Sequence, residues 1–337
     1  RGARRCAAAA TAGHVLLRAR RCAAMPVPSP EDFVNVFAGS YGNDAQKPST
    51  GNTLPLVGMP WGFNHWAPQT TDSHTSWWFD GSADTFTGIR CTHQPSPWMG
   101  DWGWFVIRPA VDSTPDHFLG YTSYDRDEAV RPYRMDLTLG PHGVRVELAP
   151  TAHAAVLRVT FPASVLPEHR WVCAWVPQGG STDEDEERAA QAHRPTGSCS
   201  LVDGGIELET RRFSSGAPRD AAPPTLYAHL EATGLAGRDR LVQCSEGNSG
   251  PSGTPKLGPA AQPCVNGTAG RQCCFLFDGQ AQAEVRVGTS LLSAEQARRA
   301  LAQEAGGASL EAAAAAGREA WRRRLEAVQV LEAGAPT

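Results

Sequence analysis

The stretch from Arg134 to Phe161 decides the fold class, and it reads RMDLTLGPHGVRVELAPTAHAAVLRVTF. Apolar side chains take every second position in three short runs, and the turn-forming Gly140-Pro-His-Gly143 and Pro150 separate the runs. The apolar positions are Met135, Leu137 and Leu139, then Val144, Val146 and Leu148, then Leu157, Val159 and Phe161. A period of two is typical of half-buried β-strands, because successive side chains of a strand point to opposite faces. We therefore predict three strands joined by short turns.

The same pattern extends from Asp32 to about Gly288. Turn residues such as Asp203-Gly-Gly205 and Asp278-Gly279 separate further apolar runs, and no helical period intervenes. The further predicted strands are 103–108, 170–176, 205–210, 226–232, 273–278 and 284–287. Many short strands without helices between them favour an antiparallel β-sandwich. Two insertions, 179–198 and 247–270, interrupt it, and the acidic run 183–187 is typical of a solvated loop rather than a metal site.

After Gly288 the pattern becomes helical. Ser293 and Gln296 form a capping-box pair, and the Gly306-Gly307 pair is typical of a helix end. Ser309 then opens a second predicted helix. Its apolar face consists of Leu310, Ala314, Gly317, Trp321, Leu325 and Val328. This face needs a cover, which either the sandwich or a further domain could supply.

Charge and composition exclude several classes of function. Hydrophobic residues make up 41% and charged residues 20% of the 337 residues, as in soluble globular proteins. Six of the 31 basic residues lie in 1–24, so 25 remain against 35 acidic ones, and the body of the chain is acidic. We therefore expect no nucleic-acid partner. We also expect no membrane span, since Arg18 interrupts the apolar stretch around 15–17.

The basic, Ala-rich residues 1–30 are predicted to be a disordered extension outside the fold. They have the character of an organelle transit peptide, although Met25 could equally be the natural start. The cysteines leave the compartment open. No C-x-x-C spacing occurs, which argues against a zinc ribbon or a thioredoxin-type motif. A disulfide among Cys244, Cys264 and Cys273 or Cys274, together with the sequon at Asn266, would fit a secreted protein.

Seven of the ten tryptophans fall between Trp61 and Trp104, among histidines and acids and with one basic residue, Arg90. Indole rings match the C–H face of a sugar ring, whereas phosphate would require basic residues or a Gly-rich loop. Some of these tryptophans should fill the core, namely Trp104 and one of Trp77 and Trp78. Trp98 differs, because its Pro- and Gly-rich surroundings predict a loop that faces a ligand.

Metal and catalytic motifs are weak in this region. His65, His74 and His93 are separated by nine and nineteen residues, which matches no usual zinc pattern. Hydrolysis of a glycoside needs two positioned carboxylates, and the spacing of Asp72 and Asp101 does not make a convincing pair. The residues alone thus predict a β-sandwich with a sugar-binding surface.

Several segments, in order along the chain, resemble glycoside hydrolase family 92. Phe33-Val-Asn-Val-Phe-Ala-Gly-Ser40 resembles the opening block of the family. Gly51-Asn-Thr-Leu-Pro-Leu-Val-Gly-Met-Pro-Trp-Gly62, with Ala67-Pro-Gln-Thr70, resembles its G-N-T-x-P…P-F-G…S-P-D-T stretch. Phe86–Pro97 and Gly100–Gly103 stand where the family has G-F-S-H-T-H-L-S-G and a D-x-G-D element. Val287-Gly-Thr-Ser-Leu-Leu-Ser-Ala-Glu-Gln-Ala297, with Leu301 and Glu304, resembles the family's V-G-x-S-x-x-S-x-E-Q-A pattern.

The resemblance implies a galactose-mutarotase-like β-supersandwich over 31–288 and two linker helices over 289–337. An (α/α)6 barrel that carries the catalytic acids and most calcium ligands would follow beyond Thr337. It implies a calcium-dependent exo-α-mannosidase that acts with inversion on N-glycans or other α-mannosides. This chain would supply substrate contacts but no catalytic residue, so we expect it to be inactive alone. The expected substrate-binding residues are His93, Trp98, Asp101, Arg90 and Trp61.

The chain departs from the family where the first His of H-T-H becomes Arg90 or Cys91 and L-S-G becomes Gln94-Pro-Ser96. These changes leave the linkage preference open. Two other functions remain as alternatives: a carbohydrate-binding module without catalysis, and a scaffold fragment without a ligand. The linker pattern favours the enzyme, since its helices would need a barrel to pack against.

Overall fold

A computed structural model gives the architecture of the chain. It describes residues 29–40, 53–70, 78–81, 83–93, 105–111, 121–125, 130–176, 196–211, 225–233, 235, 241–242, 248–249, 255–256 and 272–328. The described part is mainly antiparallel β-structure followed by two α-helices, so the predicted fold class is confirmed. Residues 1–28 of the predicted extension 1–30, the acidic run, the sequon and the residues Trp98, Asp101 and Trp104 lie outside the described residues. The predicted boundary at residue 30 is wrong, because Ser29 and Pro30 belong to a 3-10 turn in which Ser29 hydrogen-bonds to Asp32 and Arg322.

Eighteen strands are described. They are β1 (Val57–Gly58), β2 (His65–Gln69), β3 (Gly88–Thr92), β4 (Val106–Ala110), β5 (Ser123–Tyr124), β6 (Val130–Arg131), β7 (Arg134–Gly140), β8 (Val144–Pro150), β9 (Ala154–Thr160), β10 (Trp171–Trp175), β11 (Thr196–Val202), β12 (Gly205–Arg211), β13 (Thr225–Thr233), β14 (Leu241–Val242), β15 (Asn248–Ser249), β16 (Pro255–Lys256), β17 (Gln272–Leu276) and β18 (Gln282–Ser290). Short 3-10 turns lie at Pro30–Phe33 and Pro167–His169.

The predicted alternating stretch forms three neighbouring strands of a nine-stranded sheet, with the order β11-β12-β13-β18-β9-β8-β7-β5 and β6 beside β7. Leu137 pairs with Val146, and Leu148 pairs with Leu157, so the apolar residues share one face. A seven-stranded sheet with the order β1-β2-β3-β4-β10-β17-β14 lies opposite. The main apolar core combines inward residues of both sheets, as expected for a sandwich.

Both predicted helices form, as α1 (Ala294–Glu304) and α2 (Leu310–Leu325). The Ser293 hydroxyl accepts from the Gln296 amide at 3.1 Å, and Ser309 caps α2 in the same way. Helix α1 ends at Glu304, two residues before the predicted glycines.

The nine-stranded sheet covers most of the apolar face of α2. Leu310, Ala313 and Ala314 join a second apolar cluster with Ala149 and Val156, on the side of this sheet that faces away from the main core. Trp321 donates from Nε1 to the Gly58 carbonyl at 2.8 Å. The sandwich, rather than a further domain, therefore covers most of the apolar face of α2. Val328, beyond the end of the helix, is 79% exposed.

The disulfide joins Cys173 of β10 to Cys274 of β17, two residues directly opposite in register. The predicted pairing of Cys273 or Cys274 with Cys244 or Cys264 is therefore wrong for Cys274. Closeness along the chain misled the prediction, since sheet pairing brings together residues 101 positions apart. Cys273 is buried and stays outside this bond.

Candidate functional site

Three rings lie close together in a cluster that we call the aromatic–histidine edge: Phe63, His93 and His153. Trp61 lies two residues before Phe63 in the same loop. The Phe63 ring lies between the two imidazoles, with centroid distances of 4.7 Å to His93 and 5.6 Å to His153. The His153 ring is nearly parallel to it, at 26°. His93 directly follows β3, and Phe63 precedes β2, which pairs with β3.

Backbone and side-chain hydrogen bonds tie this edge to three parts of the fold. The Phe63 amide donates to the Ala152 carbonyl at 2.8 Å. Asn64, which is fully buried, donates to the Thr289 hydroxyl at 2.7 Å, and this hydroxyl donates to the His153 carbonyl at 2.9 Å. The β1–β2 loop, the β8–β9 turn and the end of β18 therefore hold one another in place.

Glu304, the last residue of α1, fixes His153. Its carboxylate accepts from His153 Nδ1 at 2.8 Å, from the His153 amide at 2.8 Å and from the Thr151 hydroxyl at 2.7 Å. Burial opposes ionisation of Glu304, but these bonds outweigh it, and its pKa lies below the usual value. An ionised carboxylate only accepts, so Nδ1 carries the proton and Nε2 of the neutral ring is an acceptor. The ring itself is 52% exposed.

Trp61 is the most exposed large apolar residue among those described, at 87%. It lies in a turn that the Gly62 amide closes by donating to the Met59 carbonyl at 2.9 Å. Its φ of 64° is in the left-handed region, which disfavours residues with a Cβ. Packing within the described residues therefore does not account for this indole.

Arg90 has a different environment from this edge. It is fully buried on β3, donates from Nε to Gln69 Oε1 at 2.6 Å and lies 4.7 Å over the Trp78 ring. Trp78 is 3% exposed, which confirms that one of Trp77 and Trp78 is a core residue. Of the five predicted binding residues, the structure thus places His93 and Trp61 on or beside the edge and Arg90 inside. Trp98 and Asp101 are not among the described residues.

A second arginine repeats the arrangement of Arg90. Arg108 of β4 donates from Nη2 to Gln272 Oε1 at 2.6 Å and lies 5.0 Å from the centre of the Trp175 ring. Burial of two cations on the outer side of the seven-stranded sheet requires such partners. We interpret both arginines as supports of the sheet beneath the surface.

The described residues do not offer a metal site: none of their His, Cys, Asp and Glu side chains come together in a group of three or more. The expected calcium ion therefore has no set of ligands among the described residues. The helices that the structure describes are also too short or too polar to cross a membrane.

Sequence reasoning missed Phe63, His153 and Glu304 as site residues. Phe63 directly follows the Pro60-Trp61-Gly62 block, and Glu304 belongs to the helix pattern that carries the family resemblance. Both residues could therefore have been identified from these sequence motifs. His153 had none, because it is a single polar residue in a turn and only the pairing of β8 with β9 brings it to Phe63.

Comparisons with known proteins agree on one family. The model of the glycosyl hydrolase family 92 N-terminal domain matches residues 33–290. Among solved structures, the family GH92 inverting mannosidase BT2199 of Bacteroides thetaiotaomicron VPI-5482 aligns with a TM-score of 0.68 and 23% identity, over 89% of this chain and 36% of that chain. The family GH92 α-mannosidase BT3965 of Bacteroides thetaiotaomicron aligns with a TM-score of 0.62 and 16% identity, over 89% and 38%. No curated protein sequence matches the chain.

The chain spans little more than a third of the length of these solved relatives. At this level of identity they show a shared fold. BT3965 has also been solved in complex with mannoimidazole.

Proposed function

Because this chain belongs to glycoside hydrolase family 92, we propose that it supplies the β-sandwich of an enzyme that removes terminal α-linked mannose from N-glycans or other α-mannosides. Inversion of configuration is part of the proposal, since one solved relative is described as an inverting mannosidase. The observation that carries the substrate role is the exposed Trp61 in the same loop as Phe63, whose ring lies close to His93 and His153.

The chemistry of this edge suits a sugar. The faces of Trp61 and Phe63 offer apolar contact to the C–H groups of a pyranose, and the exposed imidazole of His153 offers a directional hydrogen bond to a hydroxyl. Glu304 orients His153 before any ligand arrives, which lowers the entropy lost on binding. Trp98 and Asp101, which follow His93 in the chain, are proposed to complete the contact. Arg90 would act from beneath, through the position of β3.

The catalytic acid and base are proposed to lie on a helical barrel outside these 337 residues, together with the calcium ligands. Inverting hydrolysis needs two carboxyl groups that flank the scissile bond, one as acid and one as base for water. The sandwich would then bind the sugar from one side. The exposed Val328, past the end of α2, lies where the chain would continue toward such a domain.

Release of mannose from an aryl α-mannoside tests whether the catalytic residues lie on the proposed barrel and not on the sandwich. We expect none from the 337-residue chain, and hydrolysis by a longer form of the protein that includes the barrel. Hydrolysis by the 337 residues alone would contradict the proposal.

Titration of methyl α-mannoside, followed by saturation-transfer NMR on the ligand in every variant and by the Trp61 indole signal in the unmodified chain, tests the edge. We expect weak binding, of about millimolar affinity, that Trp61→Ala abolishes and Phe33→Ala, which removes another exposed aromatic ring, leaves unchanged. An indole signal that does not move at high ligand concentration would refute the edge. Micromolar binding that is lost in Trp61→Ala would instead favour the non-catalytic binding module.

A further inference from the structure

Two cysteines outside the disulfide face each other across the sandwich core. Cys199 lies on β11 of the nine-stranded sheet and Cys273 on β17 of the seven-stranded sheet. Both are fully buried, strands β11 and β17 pack together, and the two thiols are in hydrogen-bond contact. They thus place a pair of oxidisable side chains between the two sheets.

The register of β17 explains why its adjacent cysteines have different partners. Cys274 lies opposite Cys173 of β10 and forms the bond within the sheet. Cys273 lies opposite Ala174, and because side chains alternate along a strand it points to the other face, toward the second sheet. One strand therefore presents a thiol to each side.

We propose that Cys199 and Cys273 form a second disulfide, which joins the two sheets through the core when the chain folds in the presence of a small-molecule disulfide such as oxidised glutathione. One cysteine first exchanges with glutathione disulfide, releases one glutathione thiol and keeps the other half as a mixed disulfide. The thiolate of the second cysteine then attacks the protein sulfur of this bond and releases the second glutathione. Two protein thiols are oxidised and one glutathione disulfide is reduced.

Folding is the step at which this bond forms. Burial raises the pKa of the Cys199 thiol well above its usual value, so Cys199 in the folded domain is a poor nucleophile toward a disulfide. In the partly folded chain both sulfurs are accessible. The final structure then protects the bond, since neither sulfur meets solvent.

The proposed bond would affect β11, which pairs only with β12 among the described strands and forms an edge of its sheet. A bond to β17 would tether this edge strand to the opposite sheet. Because a cross-link removes conformations from the unfolded chain, the oxidised protein should also melt at a higher temperature than the reduced one.

Refolding of the 337-residue chain from denaturant in a glutathione redox buffer, followed by alkylation and peptide mapping without reduction, tests the proposal. We expect a cross-linked peptide that contains Cys199 and Cys273, and a melting temperature several degrees above that of the same protein with this pair reduced. Alkylation of both cysteines under conditions in which Cys173–Cys274 is closed would overturn it. A bond from Cys273 to Cys244 or Cys264 would also overturn it.

Two variants separate this pair from other thiols. Cys199→Ala should leave Cys273 open to alkylation after unfolding and lose the part of the rise in melting temperature that does not come from Cys173–Cys274. Cys91→Ala removes another buried thiol and should keep both the cross-linked peptide and the rise. Equal behaviour of the two variants would contradict the assignment.

Discussion

Trp61 combines two features that cost stability, an exposed indole and a left-handed backbone. If the residue serves a ligand, its removal should not destabilise the fold. Glycine adopts the left-handed region without strain, whereas alanine keeps the clash of the Cβ. We expect Trp61→Gly to exceed Trp61→Ala by about 0.5–1 kcal/mol in the free energy of unfolding, measured with urea. Alanine at least as stable as glycine would show that the turn relaxes and stores no strain.

Glu304 makes the attachment of α1 to the β8–β9 turn depend on pH. Its pKa is lowered in the folded state, so its contribution is fully present above the unfolded value of about 4.5 and is lost as the pH falls through the folded value. We expect Glu304→Gln to lower the free energy of unfolding by about 1–2 kcal/mol at neutral pH. The difference from the natural protein should shrink below pH 4.5.

Glu295→Gln is the matched control for Glu304→Gln, since Glu295 lies on the same helix with a 67% exposed side chain. Its effect should stay within about 0.5 kcal/mol at neutral pH. If the difference in the free energy of unfolding between Glu304→Gln and the natural protein stays constant from neutral to acidic pH, packing and not charge holds the turn.

At the scale of elements, the strands with strict alternation were predictable, whereas β2 and β3 were not. Strand β7 and residues 144–148 of β8 have apolar residues on one face and polar ones on the other, so period two is visible. Strands β2 and β3 are covered on both faces, and Arg90 and Gln69 satisfy each other inside. Their sequence therefore does not alternate, and the prediction saw only a tryptophan-rich region.

Strand β11 shows a second limit of prediction from the apolar pattern of the sequence. The prediction assigned residues up to Ser198 to an insertion, but the strand begins at Thr196. The small residues at its start carry little apolar signal. The pairing with β12, for example of Cys199 with Leu208, brings the strand into the sheet.

Gly288 shows why a glycine precedes the helices. A Cβ at this position would lie 2.1 Å from the Ala297 carbonyl oxygen and 2.7 Å from Leu301 Cβ, so α1 can approach β18 only over a bare backbone. We expect Gly288→Ala to lower the free energy of unfolding by about 1–3 kcal/mol and to reduce the hydrogen-exchange protection of α1. Gly307→Ala is the control, because a Cβ at Gly307 would have nothing within 4 Å, and it should be neutral or slightly stabilising. Equal effects of both substitutions would contradict the close approach.

At the scale of the whole molecule, the sandwich and α2 form one packed body, and the N-terminal turn joins it. Glu31 is fully buried and accepts from Arg318 at 2.8 Å and from Arg322 at 3.0 Å, which ties Pro30–Phe33 to α2. The sequence predicted the order of sheet and helices because each has its own period. It did not predict the ion pair of Glu31 with Arg318, since the two residues lie almost 290 positions apart in the chain and only the fold brings them together.

The calcium proposal applies at the same scale. An ion that binds only the folded chain stabilises it, so its removal lowers the melting temperature. Since the proposed ligands belong to the barrel, we expect EDTA to leave the melting temperature of the 337-residue chain unchanged and to lower that of a longer form with the barrel. Magnesium-saturated EDTA, which binds calcium but keeps magnesium present, is a suitable control for loss of magnesium. A lower melting temperature of the 337-residue chain in EDTA, restored by calcium alone, would assign a calcium site to this sandwich and contradict the proposed division between the two domains.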